Sequence, residues 1–391
     1  MTTATYAEKA LATRPPLVTR PLLMRFAVTL GASISFYLLL SVVPLYASSA
    51  GAGGNAAGLA TGALMFATVA GELVTPRLTA RYGYRMALAA GLVLLGAPAL
   101  ALTASASLAL VTAVCIVRGL GFAITVVAGG AITASLIPAE RRGEGLALAG
   151  VVSGVPALTA LPLGVWLAGR IGAAPVFAAG AGAALAALAA LPGLPGKSGG
   201  RPAAPLGIAG ALRTAALLRP AIAFAATTVA AGIIVTFVPL AVTGSGGVAV
   251  LALFAQSAAA TVSRYLAGRH GDRHGPARLL VPALVAASLG MLLLALTAVP
   301  AGVIAGSLVF GTGFGVAQNA SLSLMYERVP ASGYDAVSAL WNLSYDAGMG
   351  VGAAGFGLVA GWTGYPVAFA VIAAAMLTAL VPARRDRITA R

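Results

Sequence analysis

Charge is scarce in this chain: Asp, Glu, Lys and Arg together make up 8% of its 391 residues, where a soluble domain carries roughly 25%. So few charges cannot cover a surface that faces water on all sides, which excludes an ordinary soluble globular protein. Cysteine is rarer still. Cys115 is the single one and lies inside an apolar run, so an intrachain disulfide is excluded and a buried, inert thiol is expected. The two histidines, His270 and His274, share a basic segment, but neither cysteine nor a nearby glutamate joins them, and no metal site is expected. A phosphate-cradling G-x4-G-K-S/T loop is absent, which argues against an ATP-driven pump in this polypeptide. No constellation of catalytic groups appears, so the chain reads as a non-enzyme that uses no cofactor.

What remains is apolar. Hydrophobic residues are 60% of the chain and the mean hydropathy is +0.97. Runs such as 26–46 and 279–299 have the roughly 20 residues that cross a bilayer as a helix. In lipid the backbone must satisfy its own hydrogen bonds, which leaves helices or closed barrels, and these runs lack the alternation of barrel strands. The reading is an all-α membrane protein with spans at 24–47, 56–78, 86–104, 107–134, 145–169, 173–192, 220–243, 247–267, 277–298, 300–326, 335–360 and 365–382.

The formal charge of +15 does not point to nucleic acid, because the basic residues are spread over alternate short segments. One side takes Lys9, Arg14, Arg20 and Arg25, then Arg77, Arg81 and Arg85, the pair Arg141 and Arg142, the group Lys197, Arg201, Arg213 and Arg219, then Arg264, Arg269, Arg273 and Arg278, Arg328, and the tail from Arg384. The other side keeps only Arg170, and Arg118 lies within a span. This asymmetry is the positive-inside rule. It predicts a multi-pass protein of the plasma membrane with both termini cytoplasmic. The first span is long enough to cross and is followed by more spans, so it is not read as a secretory signal.

The order of motifs repeats. Leu78-Thr79-Ala80-Arg81-Tyr82-Gly83-Tyr84-Arg85 is echoed by Leu266-Ala267-Gly268-Arg269-His270-Gly271-Asp272-Arg273, Val43-Pro44-Leu45 by Val238-Pro239-Leu240, and Arg118-Gly119-Leu120-Gly121-Phe122 by Phe310-Gly311-Thr312-Gly313-Phe314. Between the halves, Pro192, Pro195, Pro202 and Pro205 stand among Gly, Ser and basic residues, a linker composition. The predicted organisation is a six-helix bundle over 1–192, a cytoplasmic linker over 193–217 and a second six-helix bundle over 218–391. Duplicated halves of this kind are how secondary transporters frame a central site with alternating access. At Gly83 and Gly271 a tight turn between antiparallel helices is expected to use the positive φ that glycine allows.

These motifs resemble the major facilitator superfamily, particularly its twelve-helix drug/proton antiporters. The family's signature after helix 2 runs roughly G-x-L-A-D-R-x-G-R-R, and Leu78, Arg81, Gly83 and Arg85 match it, as do Leu266, Arg269, Gly271 and Arg273. Ala80 and Gly268 stand where that signature has Asp, so the charged cytoplasmic latch the Asp provides in the family does not carry over intact. Arg118 and Gly121 resemble the Arg-containing signature of helix 4, Pro138-Ala139-Glu140-Arg141-Arg142-Gly143 resembles the loop between helices 4 and 5, and Gly150-x3-Gly154-Val155-Pro156 loosely resembles the Gly-Pro signature of exporters. The resemblance implies two pseudo-symmetric six-helix bundles in which helices 2 and 11 meet across the interface.

Charges inside the spans are the candidates for function, since each costs roughly 2.5–3.5 kcal/mol at a helix centre on insertion scales. Arg118 and Asp346 have Phe310 and Gly154 as their repeat counterparts, so the fold does not itself require them. Glu72 follows Thr61, Met65 and Thr68 on one helical face. It stands near the cytoplasmic end, where pairing with Arg77 is the structural alternative. Glu72, Arg118 and Asp346 are read as proton-coupling or gating groups, and a loop-2/3 arginine is expected to approach Glu72 and Asp346 when the cytoplasmic side is closed. Trp341, Asn342 and Tyr345, near one face around Asp346, together with Tyr37, Gln318 and Asn319, are candidates for a substrate cavity of aromatic surface with a few polar groups. Arg81, Gly83, Arg85, Arg269, Gly271 and Arg273 are read as hinge motifs, and Gly348, Gly350, Gly352, Gly355 and Gly357 as close-packing positions. The expected activity is proton-coupled export of a small organic molecule by a monomer in the lipid bilayer. A proton-coupled importer or facilitator is the alternative in that class, and a non-transporting sensor or scaffold is the alternative outside it.

Overall fold

A computed structural model of the chain describes residues 16–49, 53–138, 142–195, 208–242, 246–329 and 334–389. The N-terminal tail over 1–15, the centre of the segment after Pro138 and the linker over 196–207 lie outside the described residues. Among the described residues every element is helical. We number the crossing helices α1 (Arg20–Ala47), α2 and α3 (together Gly53–Thr103), α4 (Leu108–Leu136), α5 (Arg142–Ile171), α6 (Ala173–Gly193), α7 (Ala215–Ala241), α8 (Gly246–His274), α9 (Pro276–Leu294), α10 (Pro300–Glu327), α11 (Tyr334–Thr363) and α12 (Tyr365–Arg385). Ten stretches are long and apolar enough to cross a membrane. Gly53–Thr103 holds two helices in series, and α11, with Asn342 and Asp346 inside it, stands outside that ten. Taking Gly53–Thr103 as two helices and adding α11 gives a count among the described residues that fits the twelve predicted spans.

Local chemistry sets the helix ends. Thr19 caps α1, its hydroxyl accepting the Leu22 N–H at 3.4 Å, and Pro21 sits in the first turn, where an N–H would have no partner. Ser107 caps α4 in the same way, accepting from Leu110 N–H at 3.3 Å. The first basic motif is almost entirely helical. Its chain breaks at one residue, Gly83, with φ 81° and ψ 164°, a conformation closed to a side chain without strain. In the second motif the expectation fails: Gly271 is helical, and the positive φ of 85° falls at Gly275. The helix runs one turn further there, through Asp272, Arg273 and His274, so the equivalent residue is no longer the turn.

Helix α4 packs on α2 and α3, α10 packs between α8 and α9, and α7 lies along α11. The halves meet where α2 faces α11 and α5 faces α8. Close contacts between them gather near the loops remote from the termini. Ser41 donates to the Val235 carbonyl at 2.6 Å, and Thr236 donates to the Thr61 hydroxyl at 3.0 Å. A Cβ on Gly58 would overlap the Ala353 carbonyl oxygen, and one on Gly62 would stand 3.0 Å from the Ala354 methyl. One hydrophobic core runs through both halves here, with Phe36 and Phe177 from one and Phe237, Phe310 and Phe356 from the other. The molecule is thus closed on the face away from its termini.

Candidate transport site

The α2 stripe predicted from sequence turns out to be the seam between the halves. Thr61 bonds to α7, and Met65 supports Gly350 of α11, whose added Cβ would stand 3.1 Å from the Met65 Cβ. Thr68 turns instead to its own half, donating to the Leu64 carbonyl at 2.9 Å and the Gly119 carbonyl at 3.3 Å. One turn further on, the half-buried Glu72 carboxyl is set against the carboxyl of Asp346, which is buried on α11, near enough for the two acids to interact. A hydrogen bond between two carboxyl groups requires one proton between them, because an ionised carboxylate is an acceptor only. With the face away from the termini closed, Glu72 and Asp346 face each other, and among the described residues no basic-loop arginine stands with them. Arg85 instead donates to the Leu194 carbonyl and, at 3.2 Å, to the Pro192 carbonyl. Arg81 lies over the Tyr82 ring at 5.3 Å and Arg269 over the Tyr265 ring at 6.0 Å. Arg273 is exposed at the end of α8.

Arg118 is not the partner of Asp346 either. It is 1% exposed within the first half, where its guanidinium donates to the Leu95 carbonyl of α3 and the Ser35 carbonyl of α1, both at 3.0 Å. Asp346 faces Glu72, while Arg118 braces three helices. Arg118→Ala is expected to lower stability by about 2 kcal/mol or more, since it strands two carbonyl acceptors in the core. Arg118→Lys should recover little, because one ammonium cannot replace a fork that reaches two helices. Thermal unfolding in detergent measures this, and an unshifted melting curve for Arg118→Ala would refute the bracing role.

The cavity candidates divide into two groups. Tyr37 of α1 and Tyr345 of α11 lie within electrostatic reach of Asp346 and of Arg264 on α8, and Tyr345 also of Tyr37. Neither phenol has a protein hydrogen-bond partner among the described residues. Gln318 of α10 belongs to the same group, its amide oxygen 3.5 Å from the Arg264 guanidinium. Trp341 forms one wall: it stacks on Phe224 at 4.5 Å, donates to the Ser321 hydroxyl at 3.1 Å and stands 5.9 Å from the Tyr345 ring. Asn319 points toward α8 at Gly268, with a buried side-chain oxygen that has no partner, while Asn342 is half-buried one turn from Asp346.

Two arginines counted with the loops are part of the membrane interior. Arg25 is 5% exposed on α1 and donates through Nε to the Gly129 carbonyl at 3.0 Å and the Thr133 hydroxyl at 3.1 Å of α4, leaving one terminal nitrogen unpartnered. Arg264 stands well inside α8 because that helix runs on to His274. The signal was the absence of any helix breaker between Arg264 and Gly268. Among the described residues no group of three His, Cys, Asp or Glu side chains converges as a metal site would require.

Long apolar helices throughout, a seam of small residues between two halves and polar side chains gathered at that seam define a multi-pass membrane transporter. The chain belongs to the Major Facilitator Superfamily, whose family profile matches residues 25–353 and again 251–388. No curated protein matches it in sequence. Among solved structures it is similar to the nucleoside transporter NupG, at 12% identity and TM-score 0.70 over 93% of this chain and 98% of that one. It is also similar to a POT family transporter in complex with a thioalcohol-conjugated peptide, at 12% identity and TM-score 0.77 over 95% and 96% of the two chains. The peptide transporter POT in complex with sulfate gives 16% identity and TM-score 0.76 over 97% and 98%. At these identities the likeness is one of fold.

Proposed function

We propose that the protein is a proton-coupled secondary transporter that exports a small organic molecule by alternating access. The observation that carries this reading is the pair of facing acids, Glu72 and Asp346, at the seam between α2 and α11. With one proton shared, the pair holds α2 to α11 at the inner end of the seam that closes the face away from the termini. With none, two negative charges face each other, and at 4 Å in an effective dielectric of 20 they repel by about 4 kcal/mol. That is about a thousandfold in the ratio of closed to open forms. Proton loss therefore opens the closed face, and proton gain permits it to close, which links proton movement to exposure of the site. Tyr37, Gln318, Asn319, Trp341, Asn342 and Tyr345 line the substrate space. Arg118 acts on the cycle through α1 and α3, and the turns at Gly83, inside the first basic motif, and at Gly275, just past the second, act as hinges at the helix ends.

The working unit is a monomer with both termini on the cytoplasmic side of the plasma membrane, supported by the distribution of arginines along the chain. Its bundles are 1–192 and 218–391, joined by a linker over 193–217. In this orientation the structure is closed to the outside. Export is preferred over import on the resemblance of the loop and helix-4 motifs to drug/proton antiporters. Import has its own support in the likeness of fold to transporters of nucleosides and peptides. Proteoliposomes loaded with a pH-sensitive dye and given a pH gradient of either polarity, with a panel of radiolabelled organic solutes, test the reading. Solute accumulation opposite to proton flow is the expected result. Accumulation in the direction of proton flow would turn the reading to import, and solute movement without proton movement would reject coupling.

A further inference from the structure

Arg264 is the charge inside the membrane that proton coupling leaves unused. It lies ten residues before α8 ends at His274, about three helical turns or 15 Å along the axis. An arginine held at the cytoplasmic surface by the positive-inside rule has no need to sit so deep. A guanidinium at this depth calls for a carboxylate, yet Glu72 and Asp346 face each other and Arg264 makes no ion pair among the described residues. Its one protein hydrogen bond goes to the neutral amide oxygen of Gln318 at 3.5 Å, the outer limit for such a bond. Most of its five N–H donors are therefore unengaged, and the side chain is exposed.

The surroundings of Arg264 point inward, not to lipid. Its charge acts on Tyr37, which belongs to the other half of the molecule, and on Tyr345 of α11. Only a group facing the space between the halves reaches both. Each of those phenol hydroxyls is without a protein partner, and Trp341 beside Tyr345 supplies an aromatic wall. A cation with free donors, two free hydroxyls and ring surface together describe a site for a molecule with an oxyanion at one end and an apolar body at the other. We infer that Arg264 anchors an anionic group of the transported molecule, so that the substrate class is an organic acid. This rests on the transporter reading but not on its coupling to protons.

The test is equilibrium binding to the purified full-length protein in phosphatidylcholine nanodiscs without a pH gradient. The probes are benzoate, benzamide and benzylamine, which share a ring and differ in charge. Benzoate is expected to bind saturably and at least roughly tenfold more tightly than the other two, the range a charge-assisted bidentate contact adds. Arg264→Gln should abolish that preference and Arg264→Lys should retain part of it, each with an unaltered melting temperature in the absence of probe. A preference that survives Arg264→Gln overturns the inference, and so does a wild-type protein that binds no benzoate. Repeating the titration in nanodiscs containing phosphatidylglycerol distinguishes a lipid headgroup. If anionic lipid removes the benzoate preference, the headgroup is the occupant and the inference fails. Proton flux is not read in this experiment, so failure of coupling leaves its result standing.

Discussion

Asp346→Asn is expected to reduce solute-driven proton flux in proteoliposomes by roughly tenfold or more while leaving exchange of labelled for unlabelled solute in place. The carboxamide keeps the shape of the side chain and can hydrogen-bond to Glu72, but it removes one of two groups that share a proton. Glu72→Gln should have a loss of similar size, because either substitution leaves a single carboxyl. The double variant should be little worse than either single one, as expected for residues that act as a unit. Losses that multiply in the double variant would show two independent sites and reject the shared proton. A second readout follows from the sign of the linkage. Raising the pH strips the shared proton and sets two carboxylates against each other, so labelling of the closed face should rise with pH in the wild type. In Asp346→Asn, where one group is permanently neutral, that rise should be flattened.

Gly58→Leu is expected to hold the face away from the termini open. A side chain there must enter the space of the Ala353 carbonyl, and backbone on a packed helix gives way only by separating α2 from α11. A cysteine introduced at Ser41 reports on the seam, because Ser41 is fully buried at its bond to Val235. The background is low, since the native Cys115 is buried. Labelling at that cysteine should rise by about tenfold or more in Gly58→Leu, which requires only about 1.4 kcal/mol of lost contact. Gly58→Ala should lie between, and transport should fall as labelling rises. Unchanged labelling in a protein that still melts cooperatively would mean that α2 and α11 tolerate the bulk, and the seam would not be the gate.

Most of the architecture was legible because it rests on bulk properties. Lipid compels helices, and length and hydropathy locate them, so the spans fall where runs of apolar residues predict them. The α2 stripe was legible for a similar reason: Thr61, Met65 and Glu72 are too polar to face lipid, and they face the other half. The partner of Glu72 was legible only through the family resemblance that brings helices 2 and 11 together. The partners of Arg118 and Arg25 were not legible at all, because carbonyl oxygens belong to every residue and mark no position. Gly271 misled because one more helical turn moves a bend without changing the motif around it. Arg264 was hidden by a rule that assigns basic residues to a side of the membrane and is blind to how deep they lie.

The glycines of α11 do unequal work. Gly348 and Gly352 press on α7 so closely that a methyl group would overlap the Thr228 hydroxyl and the Val229 carbonyl, and Thr228 adds a hydrogen bond to the Ser344 carbonyl at 2.9 Å. Toward α2 the glycines of α11 itself fit less closely, with an added methyl at 3.1 Å from Met65 for Gly350 and at 2.9 Å from the Gly54 carbonyl for Gly357, and the tightest approach comes from the other helix, at Gly58 against the Ala353 carbonyl. Against α7, α11 is keyed by its own glycines and pinned by a hydrogen bond; against α2 it is met by a glycine of the other half. In an alternating-access stroke α7 and α11 are therefore expected to travel together, with the parting line along α2.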